Sequence, residues 1–177
     1  MKWIDILAAA LLLISVSVAS MAAPESVLIG PYKVSFDMGD IGNYTINPQP
    51  PIKGENLRGI SYTSYNAFIN GTSPSRVQLS IQDFSMPVSN DVENAVGGGM
   101  KSFSACAEPV TETRTIDGKS GVLGTINCHG SDMYMLQHPL DLNTTDNAMT
   151  SAVMILSTYQ WDKGTSSLAN TIHVEKA

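Results

Sequence analysis

Residues 90–128 limit what this chain can fold into more than any other stretch, because they hold one amphipathic helix, one hairpin and a cysteine at the far end of each. Asn90-Asp91-Val92-Glu93 has the form of a capping box, with a side-chain acceptor at the N-cap and a carboxylate three residues later that reaches back. Behind it Val92, Val96, Gly99, Phe103 and Cys106 recur at spacings of four and three, which predicts one shared helical face. The helix is expected to end before Pro109, which pushes Glu108 out of the α region. Residues 111–116 then read as a strand and Asp117-Gly118 as a turn. On the returning strand Val122, Gly124, Ile126 and Cys128 alternate, so they lie on one sheet face. Both sulfurs are thereby aimed into one helix–sheet layer. A Cys106–Cys128 disulfide is expected, stabilising by roughly 3 kcal/mol through loop closure.

The N-terminal residues give an address. Lys2 is followed by an uncharged, apolar run over residues 6–19 and then by Ser20-Met21-Ala22-Ala23-Pro24, whose small residues suit a signal peptidase. That run is shorter than the ~20 residues of a spanning helix, so residues 1–22 are read as a signal peptide, cleaved after Ala22 or Ala23. An uncleaved anchor is the alternative. Residues 23–31 are read as a leader and residues 32–177 as a single domain, large enough for a real core. Two cysteines in an exported, secreted or surface chain favour a structural bridge. Asn43, Asn70 and Asn143 each begin an Asn-X-Thr sequon, so each is a candidate glycosylation site. The formal net charge of −6, with no Lys/Arg cluster, excludes nucleic acid and anionic lipid as natural partners. No membrane insertion is expected after signal cleavage.

Along the chain, Tyr32, Val34 and Phe36 alternate as a first strand, and Tyr44-Thr45-Ile46 begins a second that Pro48, Pro50 and Pro51 stop. Residues 49–58 read as a polar loop. Residues 60–69 form a third strand, and Val77, Leu79 and Ile81 alternate with Gln78, Ser80 and Gln82 in a fourth with one wet face. After the helix and hairpin, residues 133–137 and 152–161 are strands. The second of these is the most continuously apolar, which suits a central position buried on both faces. Leu168 and Ile172 mark a short final helix. The expected fold class is α+β: a mostly antiparallel sheet of six or seven strands, with a helix after strand four and another at the C-terminus.

That element order, with Trp161 ahead of Leu168-Ala169-Asn170-Thr171-Ile172, resembles the PsbP-like α/β/α sandwich. The resemblance spans residues 32–174, matches no specific motif and carries no functional residue across. The chain also looks like small exported archaeal proteins, a likeness that implies no chemistry.

Functional motifs are sparse. Gly97-Gly98-Gly99 costs a helix roughly 1 kcal/mol per glycine. It reads as a close helix–sheet approach or a hinge, since Gly97-Gly98-Gly99-Met100-Lys101-Ser102 lacks P-loop spacing. His129, Met133, Met135 and His138 are soft ligands that suit copper, although methionine is also an ordinary core filler. No nucleophile elbow or zinc-protease motif occurs, and Tyr62, Tyr65 and Phe68 read as sheet residues rather than a stacking platform. No cofactor is expected. Two functions follow: a non-catalytic exported module that binds a protein or cell-surface component, or a small hydrolase or copper-binding protein using His129 or His138.

Overall fold

The computed structural model describes residues 24–56, 58–71, 74–103 and 105–177. The expected signal peptide lies outside them. Four strands come first: β1 (Glu25–Ile29), β2 (Tyr32–Phe36), β3 (Tyr44–Pro48) and β4 (Ile52–Glu55). Two long ones follow, β5 (Ser61–Gly71) and β6 (Arg76–Ser89), and then helix α1 (Val92–Lys101). Next come β7 (Val110–Ile116), β8 (Lys119–Cys128), β9 (Ser131–Asn143) and β10 (Ala148–Ser157). A single 3-10 turn (Trp161–Lys163), helix α2 (Thr165–Thr171) and β11 (His173–Lys176) complete the order.

Strand β10 is central, as its apolar run requires: it pairs antiparallel with β6 on one side and β9 on the other. The main sheet runs β3-β5-β6-β10-β9-β8-β7, with β4 also paired to β5. Strands β1, β2 and β11 form a second, three-stranded sheet. Alternation gives the main sheet two distinct faces. One face presents Leu79, Ile81, Leu123, Leu136, Val153 and Ile155, all buried against Ile29, Tyr32, Val34 and Phe36 of the small sheet and Leu168 of α2. The other presents Val122, Ile126, Met135 and Ala152 to Val92, Val96 and Met100 of α1.

The α+β expectation is overturned. Strand accounts for 59% of the described residues and helix for 13%, in two sheets, which places the fold nearer the all-β class. Helix α1 follows the sixth strand, not the fourth. The extra strands were hidden for identifiable reasons. Residues 52–55, read as loop, pair with residues 61–64 at the sheet edge, where only one side needs partners and polar residues suffice. Residues 25–29, read as leader, pair with residues 32–36. Residues 173–176 are too few to show a period, yet they pair with residues 32–35. That last strand is also pinned through Asp117. Its carboxylate accepts from His173 Nδ1 (2.7 Å), Lys119 Nζ (3.0 Å) and Val174 N–H (3.1 Å).

The capping box also fails to form. Asp91, not Asn90, is the N-cap and makes no cap bond. Its Oδ1 accepts from Asn94 Nδ2 at 2.6 Å instead, while Asn90 N–H is drawn to the Asn147 carbonyl at 2.8 Å. Helix α1 stops at Lys101, so Phe103 and Cys106 belong to a coiled tail, and Met100 takes the fully buried place on the apolar face. The tail nonetheless delivers Cys106 to the sheet. Ala107 N–H donates to the Asn127 carbonyl at 2.9 Å, and Cys106 joins Cys128 with Cα atoms 4.3 Å apart. Close approach of α1 depends on Gly124: a Cβ there would lie 2.3 Å from Met100 Sδ and 2.6 Å from Val96 Cγ1.

Candidate functional site

Helix α1 covers only the β8–β9 half of its face of the main sheet. The other half, over β5 and β6, carries no helix or sheet among the described residues. Cross-strand register builds its floor. Tyr62 faces Phe84, Ser64 faces Gln82, Asn66 faces Ser80 and Phe68 faces Gln78. Met154 continues the row from β10. The edge is raised by Gln49-Pro50-Pro51-Ile52, where the chain bulges between β3 and β4 and Gln49 N–H holds the Asn66 carbonyl at 2.8 Å. Apart from Phe84, these residues line an open cavity of about 470 Å³.

The floor is a small polar network. Asn66 Oδ1 accepts from Ser80 Oγ at 2.7 Å and from Ser64 Oγ at 3.2 Å. Gln78 Nε2 donates to Ser80 Oγ at 3.3 Å, and Asn66 Nδ2 reaches the Ser64 carbonyl at 3.4 Å. These bonds fix the Asn66 amide and occupy both serine hydroxyl protons. Ser64, Asn66 and Ser80 are all buried among their larger neighbours, the usual state of a polar group whose bonds are satisfied. Gln82 makes no side-chain hydrogen bond among the described residues, and it also lines a second cavity of about 380 Å³ beside α1. Aromatic rings bound the network at both ends. Tyr62 and Phe84 meet edge to face at 6.5 Å, and Phe68 lies six residues along β5, about 20 Å away at ~3.4 Å per residue. Ile52, on the rim, is 58% exposed. No charged side chain lines this cavity among the described residues.

The copper candidates are not brought together. Met133 and Met135 sit on the face beneath α1, whereas His138 is on the opposite face and wholly buried. His129 is an exposed turn residue with φ 54°, locked with Gly130 into the two-residue β8–β9 hairpin. Regular alternation separates them: each strand residue changes face with its neighbour, so His138 and Met135, three apart, point opposite ways. No group of three or more His, Cys, Asp or Glu side chains able to hold a metal occurs among the described residues. His138 instead donates Nδ1–H to the Pro139 carbonyl at 2.9 Å, and its Nε2 has no partner among the described residues. Burial, with the Lys119 ammonium nearby, holds its pKa below the ordinary imidazole value.

The other sequence candidates fall in different places. Asn43, Asn70 and Asn143 are all exposed. Gly99 is the close approach expected of the glycine triplet, because a Cβ there would lie 3.3 Å from Met135; Gly97 and Gly98 face open space, and nothing in the structure explains them. Tyr65 is a core-side residue against Tyr32, at 5.9 Å between rings, while Tyr62 and Phe68 flank the cavity. The residues that sequence reasoning missed are Ser64, Asn66 and Ser80. Their signal was present: positions 62–68 and 78–82 both place uncharged amides and hydroxyls on alternate residues, a pattern that reads as solvated until the register stacks the two rows.

A larger and more enclosed cleft of about 830 Å³ lies at the β8–β9 and β10–α2 end, lined by Asp40, Asp132, Tyr134, Tyr159 and Lys163 among others. In it Tyr134 Oη donates to Asp132 Oδ2 at a long 3.4 Å, while Asp40 and Lys163 make no side-chain hydrogen bond among the described residues. No helix among the described residues is long and apolar enough to cross a membrane. Comparison of the chain with protein-family models, curated proteins and solved structures finds no match, and none of these comparisons bears on the PsbP-like resemblance.

Proposed function

We propose that this chain is an exported, non-catalytic module that binds a neutral, hydrogen-bonding component of the cell surface on the open half of its main sheet. One observation carries the reading: the half of that sheet face left without a helix among the described residues is floored by an ordered amide–hydroxyl network and bounded by aromatic side chains. Sites of this kind combine apolar walls with a few oriented polar groups that set specificity. A network of serine and asparagine held in place on two adjacent strands is preorganised, which lowers the cost of binding. The disulfide fits an oxidising, extracellular setting. Catalysis has no comparable support, because among the described residues no nucleophile and base share a hydrogen bond in the cavity.

The test compares retention of secreted protein on the cells that export it. Ser80→Arg fills the cavity with a charged chain, and Val110→Arg alters a 69% exposed residue at the far sheet edge. Retention lost by the first and kept by the second, with both variants showing native near-ultraviolet circular dichroism, is the expected result. Equal retention of the two folded variants refutes the reading.

A further inference from the structure

Resting on that proposed function, we infer that the ligand is a neutral oligosaccharide lying along β5 and β6 between Phe68 and the Tyr62–Phe84 pair. Three features of the cavity select this chemistry. First, its lining is uncharged and offers donors and acceptors together: the accessible amides of Gln49, Gln78 and Gln82, above a buried floor in which Asn66 holds the Ser64 and Ser80 hydroxyls. Sugar hydroxyls likewise donate and accept. An anionic polymer would find no cation to neutralise it, and the net charge of −6 would repel it. Second, aromatic side chains lie at both ends, Tyr62 and Phe68, and aromatic surface suits the C–H side of a pyranose ring while amides suit its hydroxyl edge. The span of about 20 Å from Tyr62 to Phe68 requires a ligand of several rings rather than one. Third, an extended peptide has poor access. Peptides that bind sheets add to an edge through backbone bonds, but this edge is blunted by Pro48, Pro50 and Pro51. The sheet face itself offers only side chains.

The experiment titrates the secreted full chain, with its disulfide intact, with gluco-, manno- and galacto-hexaoses by isothermal calorimetry and by amide chemical shifts. A glycine-asparagine decapeptide and a hexameric polyuronate are added as neutral-peptide and anionic probes. At least one neutral hexaose is expected to bind, with shifts confined to residues 62–68 and 78–82 and to Met154. Phe68→Ala and Gln82→Ala, both changes at half-buried residues lining the cavity, should each weaken it roughly 3- to 10-fold while near-ultraviolet circular dichroism stays native. Failure of all three hexaoses overturns the saccharide assignment, as does tighter binding of the peptide or the polyuronate. If Ser80→Arg still loses cell retention in that case, the binding face stands and only its ligand class falls. A dimer in light scattering whose contact protects residues 62–68 overturns both.

Discussion

Removing the Cys106–Cys128 bridge should destabilise the fold by about 3 kcal/mol without undocking α1. The two cysteines are 22 residues apart in sequence. Chain-entropy treatment of a loop that size gives close to 11 cal/mol/K, or about 3.4 kcal/mol at 25 °C. The native cost of losing the bridge is small by comparison, because the other anchors of the segment remain. Val96 and Met100 stay fully buried on the sheet, and Ala107 N–H still bonds the Asn127 carbonyl. The Cys106→Ser/Cys128→Ser double variant, made to avoid a lone thiol, should therefore show a lower urea midpoint, and a melting temperature lower by about 6–12 °C for a domain this size. Hydrogen exchange separates the two routes to that loss. Amides of residues 96–101 should exchange through global unfolding in both proteins, their protection falling only by the global difference. A loss under 1 kcal/mol would refute the entropic argument. A loss above 5 kcal/mol, with α1 amides exchanging locally, would show that the bridge rather than Met100 and Val96 holds the helix.

Two further outcomes test the packing and the buried imidazole. Gly124→Val should cost about 1–3 kcal/mol by pushing Met100 and Val96 off the sheet, and Met100→Ala in the same chain should recover part of it in a double-mutant cycle. For His138 the sign follows from its depressed native pKa: the unfolded chain gains a proton near the ordinary value of 6.5 while the buried ring stays neutral. Stability is thus full above pH 6.5 and falls as pH drops below it, with a slope of up to about 1.4 kcal/mol per pH unit. His138→Leu should remove that slope in urea titrations between pH 6.5 and 5, and an unchanged slope would contradict the buried, neutral assignment.

Parts of this architecture are legible in the sequence where one period dominates. Cys106 and Cys128 pair because strand alternation aims Cys128 at the helix layer, even though Cys106 reaches it from a coil rather than from the helical turn its spacing implied. The central place of β10 follows from a run apolar on both sides. Fold class was misread because β4 and β11 are short edge strands whose residues are mostly polar, so neither shows a buried stripe; β1 sits in a stretch read as leader. The capping box is a case of tertiary override: Asn90 and Glu93 have the right types, but the neighbouring β9–β10 turn captures Asn90 through the Asn147 carbonyl. The candidate site was hidden for another reason. Ser64, Asn66 and Ser80 become a site only when β5 and β6 lie in register beside a strand edge that bulges at its prolines, and neither fact can be read from either strand alone.

The claim that the uncovered sheet face is the working surface is tested most directly by oxidative footprinting of methionines, on protein free in the medium and on protein retained at the cell surface. Met154 lines the cavity, Met86 is 55% exposed elsewhere, and Met100 is fully buried beneath α1. Met154 is predicted to oxidise in the free protein and to be protected several-fold on the cells, while Met86 oxidises equally in both and Met100 in neither. Equal oxidation of Met154 in the free and retained protein would contradict the account.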